Sequence, residues 1–224
     1  MNKFAAILGA SALVLSTSAM AKVEFADPVP NVRGEDATTG GIGYEWTVTL
    51  GAHETAEIVG STGGKGTYEP TFTAPNIGWT HTTDWVALDL TADAVVEIQV
   101  SRQEGVYEKT VDRTDPTIQG YATSGAMLYP AMSVYTGWDD TSTESAGFNP
   151  MGDFWAEGLS FKAVEYSKFG ETTITYRAML KAGHYSINIG GANALYCAET
   201  DECFNGAHGF KATFKASHVP GMQM

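Results

Sequence analysis

The chain has 224 residues, of which 13 are basic and 26 acidic, so its formal net charge at pH 7 is −13. This excess of negative charge disfavours nucleic acids and anionic membrane surfaces as partners and favours cations. The length suits one all-β domain and is ample for a sizeable hydrophobic core.

The first 21 residues have the three-part composition of a secretory signal peptide. A cationic start at Lys3 precedes an apolar run over 4–15, and small residues occupy Ala19 and Ala21. The apolar run is too short to span a bilayer, although a retained anchor is the alternative to cleavage. We therefore predict export to the periplasm or outer cell surface, with a mature chain starting near Lys22 and no membrane span.

Alternating apolar and polar residues dominate the rest of the chain, after a segment at 22–42 with few apolar side chains. We predict that 22–42 forms a loosely ordered arm and that 43–224 forms a single domain. The alternation predicts an antiparallel, jelly-roll-like β-sandwich. Its predicted strands lie at 45–50, 85–90, 96–100, 132–135, 172–180, 185–189 and 209–216.

Three long connections rich in Gly, Thr and Asp separate these strands, at 51–76, 102–126 and 137–153. Connections of this length in a compact domain are usually functional or mobile. The sequence therefore directs the search for a site to these three segments.

Both cysteines, Cys197 and Cys203, flank a short acidic stretch. An isolated pair at this spacing in an exported protein predicts a disulfide, with a free or metal-binding pair as the alternative. So short a loop gains little entropy from closure, and the bridge is expected to act locally.

The most informative short motif is Trp79-Thr80-His81, which precedes the predicted strand at 85–90. Residues two apart on an extended backbone project from the same face, so the indole and the imidazole would lie together. Short motifs often occur by chance, and a packing pair at the edge of a sandwich is the alternative interpretation.

This motif, followed by a strand beginning Asp84-Trp85 in an exported acidic β-protein, resembles the MopE/CorA group of surface-associated copper-binding proteins of methane-oxidising bacteria. The resemblance implies that Trp79 is oxidised to kynurenine and that its new amine binds Cu(I) with His81 and a second histidine. Segments 84–90, 128–140 and 180–190 also resemble jelly-roll modules of exported pre-peptidase and carbohydrate-binding types.

The second histidine is assigned to His184, which faces outward at the start of a predicted strand; an exposed strand-end residue is the alternative. His53 and His208 are interpreted as surface loop residues. His218 precedes two methionines in a tail that offers soft donors for Cu(I), with a frayed terminus as the alternative.

Asp139 and Asp140 offer hard oxygen ligands for calcium, with a solvated acidic turn as the alternative. No motif of a hydrolase, phosphate-binding loop or dinucleotide fold is present, so we expect a protein that is not an enzyme. The competing function is a glycan-binding or structural envelope module stabilised by calcium, with Trp79, Trp138 and Trp155 as candidate sugar-stacking residues.

Overall fold

A computed structural model describes residues 21–25, 44–64, 83–103, 105–111, 119–138 and 159–218, with the backbone alone described at 105–111 and 119–124. This part of the chain is almost entirely extended. Its strands are β1 (Lys22–Phe25), β2 (Trp46–Leu50), β3 (Thr55–Gly63), β4 (Asp84–Leu90), β5 (Ala94–Arg102), β6 (Gly105–Val111), β7 (Gln119–Ser124), β8 (Pro130–Thr136), β9 (Ser160–Tyr166), β10 (Thr173–Leu180), β11 (Gly183–Gly191) and β12 (Ala207–Ser217).

The strands form two sheets and a separate hairpin. The larger sheet has the order β1-β2-β4-β11-β8-β9, the smaller sheet has the order β10-β5-β12-β3, and β6 pairs with β7. All strand pairs in the described residues are antiparallel except β2 with β4, which are parallel. The predicted all-β sandwich is confirmed.

The hydrophobic core lies between the two sheets and follows the predicted alternation. Val86, Leu88 and Leu90 of β4 face this core, as do Phe210 and Phe214 of β12. All five side chains are at most 1% exposed. Burial of such a side chain contributes about 1.5–3 kcal/mol, so this interface is the main source of stability.

The central strands of the larger sheet are also buried on their outer face. Trp85 on β4 and Tyr135 on β8 form an aromatic cluster there with Tyr44. Between them, Ser186 and Asn188 of β11 are completely buried. Tyr44 and Ser186 share a hydrogen bond of 2.6 Å between their hydroxyl groups, which satisfies polar atoms in this layer.

Two of the predicted connections contain strands that the sequence analysis missed. β3 lies within 51–76, and the β6–β7 hairpin lies within 102–126. Two of the inward positions of β3 are Gly60 and Thr62, so the strand lacks the alternation of apolar and polar residues on which the prediction relied. Position 60 has no room for a larger side chain, because a Cβ on Gly60 would lie 3.0 Å from the ring of Phe210.

The N-terminal prediction also needs a correction. We expected 22–42 to be a loosely ordered arm, but Lys22–Phe25 forms the edge strand β1 and pairs with β2. The ring of Phe25 packs edge-on against Trp46 at 4.7 Å between ring centres, and this contact accounts for the pairing of so polar a segment. Residues 26–43 lie outside the described part of the chain.

The predicted disulfide between Cys197 and Cys203 is confirmed, with 5.9 Å between the Cα atoms. A short 3-10 helix, Asn193–Leu195, precedes it, and helix α1 (Glu202–Asn205) contains the second cysteine. Neither is long: within the described residues, no helix has the length and apolar character needed to cross a membrane.

Asn193 links this disulfide loop to the start of β8. Its side-chain amide donates to the carbonyl oxygens of Met127 and Cys203, at 2.8 and 2.7 Å. Its Oδ1 accepts a hydrogen bond of 2.8 Å from the backbone N–H of Tyr129. Asn193 is completely buried, and it shares the Cys203 carbonyl with His208, so its loss would leave backbone polar groups of Met127 and Tyr129 without this partner.

We predict that Asn193→Ala lowers the free energy of unfolding by about 2–4 kcal/mol, since it leaves buried polar groups without partners. Urea unfolding followed by tryptophan fluorescence measures this change. Asn193→Asp, which keeps the acceptor but loses both donors, should also be destabilised. An unchanged unfolding midpoint in the alanine variant would contradict the linking role.

Candidate functional site

The Trp79-Thr80-His81 motif and the predicted calcium ligands Asp139 and Asp140 lie outside the described residues. The described chain resumes at Thr83, two residues after His81. Thr83 is 1% exposed, and its hydroxyl accepts a hydrogen bond from the side-chain amide of Asn188. Strand β4 therefore begins from a firmly held position.

His184 lies at the start of β11, where it pairs with Asp89 of β4. Its side chain is 52% exposed, so the ring is accessible from solvent. Nε2 lies 3.8 Å from Oδ1 of Asp89. Among the described residues, neither nitrogen of this imidazole has a hydrogen-bond partner.

Trp138 fixes the plane of the His184 ring. The two rings are stacked with 3.7 Å between their centres and an angle of only 2° between their planes. Trp138 is held in turn, because its indole N–H donates to the carbonyl of Tyr185 at 3.1 Å. The backbone N–H of Gly137 donates to the carbonyl of His184 at 2.8 Å. This imidazole is thus oriented before any ligand arrives.

The β4–β11 register sets the distance between His184 and the sequence motif. Thr83 precedes the Asp84 end of β4, whereas His184 pairs with Asp89 near the other end. Six residues of extended chain span roughly 20 Å. Two residues of chain reach at most about 7 Å. A site shared by His81 and His184 therefore requires the chain before Thr83 to run back along the sheet.

The interpretation of His208 as a surface loop residue is wrong. His208 belongs to β12 and is completely buried. Nε2 lies 3.1 Å from the carbonyl oxygen of Cys203, and Nδ1 has no hydrogen-bond partner in the described part of the chain. A Cβ on Gly125 would lie 2.8 Å from Nδ1, so the ring fills its pocket.

Burial is the main cause that lowers the pKa of His208 below its ordinary value, and the contact with the Cys203 carbonyl partly opposes it. Burial therefore favours the neutral form of this side chain. Because it is closed off from solvent, His208 is not a candidate ligand.

His53 and His218, by contrast, are both exposed and lie beside one another on the surface. His53 is in the turn between β2 and β3, and His218 directly follows β12. The two methionines of the C-terminal tail are outside the described residues. No group of three or more His, Cys, Asp or Glu side chains with metal-ligand geometry occurs among the residues that the structure describes.

The aromatic residues expected to stack on sugars do not form an open platform in the described structure. Trp138 is covered on one face by His184, and Trp155 lies outside the described residues. A different aromatic group is present on the surface, where Tyr129, Phe169 and Tyr196 contact one another and Phe169 is 74% exposed.

We predict that His208 makes stability depend on pH. In the unfolded chain, His208 has an ordinary histidine pKa of about 6.5, and in the folded protein its pKa is lower. As the pH falls, the unfolded state therefore takes up a proton before the folded state does. The stability that comes from keeping His208 unprotonated is fully present above the unfolded-state pKa. It is lost as the pH falls from the unfolded-state pKa towards the lower folded-state pKa. Urea midpoints between neutral and mildly acidic pH should show the loss, and His208→Gln should reduce it.

No family model and no curated protein matches this chain. Among solved structures, CorA, a surface-associated copper-binding protein of Methylomicrobium album, has a TM-score of 0.44 and 12% identity, covering 76% of this chain and 99% of its own. MopE, a secreted copper-binding protein of Methylococcus capsulatus, has a TM-score of 0.40 and 11% sequence identity, and the match covers 72% of this chain and 84% of MopE. The collagenase pre-peptidase C-terminal domain of Bacillus anthracis has a TM-score of 0.35 and 11% sequence identity, and the match covers 75% of this chain and 94% of that domain. These values describe distant likeness and assign no function.

Proposed function

We propose that this protein is an exported, non-catalytic copper-binding protein that acquires or sequesters copper outside the cytoplasm. Its ligands for Cu(I) are His81, His184 and the amine of Trp79 after oxidation to kynurenine. The observation that carries the proposal is the accessible and oriented imidazole of His184, stacked on Trp138 beside Asp89.

The surroundings of His184 suit a metal ligand. Histidines that bind metals usually have a carboxylate or carbonyl near the second ring nitrogen, which orients the ring and raises its basicity. The neighbouring carboxylate is that of Asp89, whose Oδ1 lies 3.8 Å from Nε2 and would have to approach to form a hydrogen bond. Because Trp138 already restricts the ring, less side-chain entropy remains to be lost on binding.

Ligand chemistry favours copper over calcium or magnesium at this position. Imidazole nitrogen suits copper and zinc, whereas the hard cations prefer oxygen. Thiols do not compete in the described structure, because Cys197 and Cys203 form a disulfide. The disulfide also supports an oxidising compartment, in agreement with the predicted signal peptide.

Trp79 requires modification before it can bind a metal. The lone pair of the indole nitrogen belongs to the aromatic ring, whereas the aniline nitrogen of kynurenine has an available pair. Dioxygen opens the indole ring, and water then releases the lost carbon as formate. The residue thereby gains one oxygen atom and loses one carbon atom.

We expect His81→Ala and His184→Ala each to weaken Cu(I) binding at least about tenfold, a loss that even an outer-shell change produces. Competition with a chromophoric chelator under reducing, anaerobic conditions measures it. Lys181→Ala is the matched control, because Lys181 is exposed near the same end of β11 and pairs with Asp93. Loss of binding in His81→Ala but not in His184→Ala would remove His184 from the site.

We also expect the intact mass of the mature protein, purified from its native host, to show the gain of one oxygen and loss of one carbon, located at Trp79 by peptide mapping. Trp79→Phe should lack this change and bind Cu(I) more weakly. An unmodified mass, with copper binding unaffected in His81→Ala, would contradict the copper site. Retention on polysaccharide columns in that case would favour the glycan-binding alternative.

A further inference from the structure

We propose that His53 and His218 form a second metal site, which binds a divalent transition-metal cation such as Cu(II) through two imidazoles. It is separate from the proposed Cu(I) site and does not depend on it. The site links the turn between β2 and β3 to the end of β12.

The distance between the two rings fits a shared metal ion. Their centres are 5.7 Å apart, and their planes differ by 21°. A metal about 2.0–2.1 Å from an imidazole nitrogen lies about 3.2 Å from the ring centre, so two rings on one metal have centres about 5–6.5 Å apart.

The sheet register places the two histidines together. Lys215 of β12 pairs with Thr55 of β3, and the N–H of Ala216 donates to the carbonyl of Glu54 at 2.9 Å. Beyond this point, His53 lies one residue before Glu54 and His218 lies two residues after Ala216, so the two histidines are diagonal neighbours. Their proximity therefore follows from backbone pairing.

The backbone at His53 provides a second, independent observation. Its φ is 67°, in the left-handed region, and it is the one residue other than glycine with positive φ among the described residues. Such a conformation costs on the order of 1 kcal/mol, and histidine adopts it more readily than most residues other than glycine. His53 belongs to the turn in which the N–H of Glu54 donates to the carbonyl of Gly51 at 3.2 Å.

The chemistry of the site favours copper among divalent cations. Neutral imidazole binds copper, nickel and zinc, and the affinity of a given site is normally highest for Cu(II). The remaining coordination positions face solvent, because both histidines are exposed. A bound cation would hold the edge strand β3 and the end of β12 together and thereby stabilise the folded protein.

The experiment uses a background in which the proposed Cu(I) site is removed, His81→Ala with His184→Ala. This step is needed because Thr49, Asp89 and His184 lie in one row across three strands, so the two sites share an end of the sandwich. In this background we expect Cu(II) to bind with two nitrogen ligands in the electron paramagnetic resonance spectrum. At about a hundredfold excess over Kd, the melting temperature should rise by about 5 °C or more.

His53→Asn is the decisive variant, because asparagine tolerates positive φ but provides no imidazole. We expect it to keep the melting temperature of the metal-free protein and to lose the shift with Cu(II). His218→Ala should lose the shift as well, whereas Lys215→Ala should retain it. The proposal would be overturned if His53→Asn and His218→Ala bound Cu(II) as well as their parent and showed the same shift in melting temperature. The two rings would then be a surface contact that binds no metal.

Discussion

The register between β4 and β11 is the constraint on which the rest of this structure depends. It pairs Val86 with Ile187 and Leu88 with Tyr185, which all face the core between the sheets. Because side chains alternate along a strand, a slip of one residue would turn this apolar set outward. The hydrophobic core therefore holds the register, and the register determines what the outer face presents.

That outer face carries the proposed copper ligand. The same pairing that buries Ile187 puts His184 opposite Asp89, next to the turn from which Trp138 projects. It also puts Thr83 beside Asn188, far from His184 along the strand. A metal site that contains both His81 and His184 requires the chain before Thr83 to run back along β4. The core packing therefore limits which histidines can bind one metal ion together.

The described histidines show how strongly surroundings alter the chemistry of one residue type. Burial favours the neutral form of His208, which serves the packing around the disulfide loop. His184 is accessible and held flat against an indole. His53 and His218 share the surface at the end of an antiparallel strand pair. Accessibility and orientation, rather than residue type, separate candidate ligands from structural groups.

The sequence by itself determined the fold class, the inward faces of β4 and β12, and the disulfide, because alternation and cysteine spacing are local properties. It missed β3, where Gly60 and Thr62 occupy inward positions and break the apolar alternation; at Gly60, close contact with Phe210 leaves no room for a larger side chain. Only the tertiary structure decided that His208 is buried, that Trp138 lies against His184, and that His53 adjoins His218. These relations join residues far apart in the chain, and they depend on strand order and register, which no local pattern records.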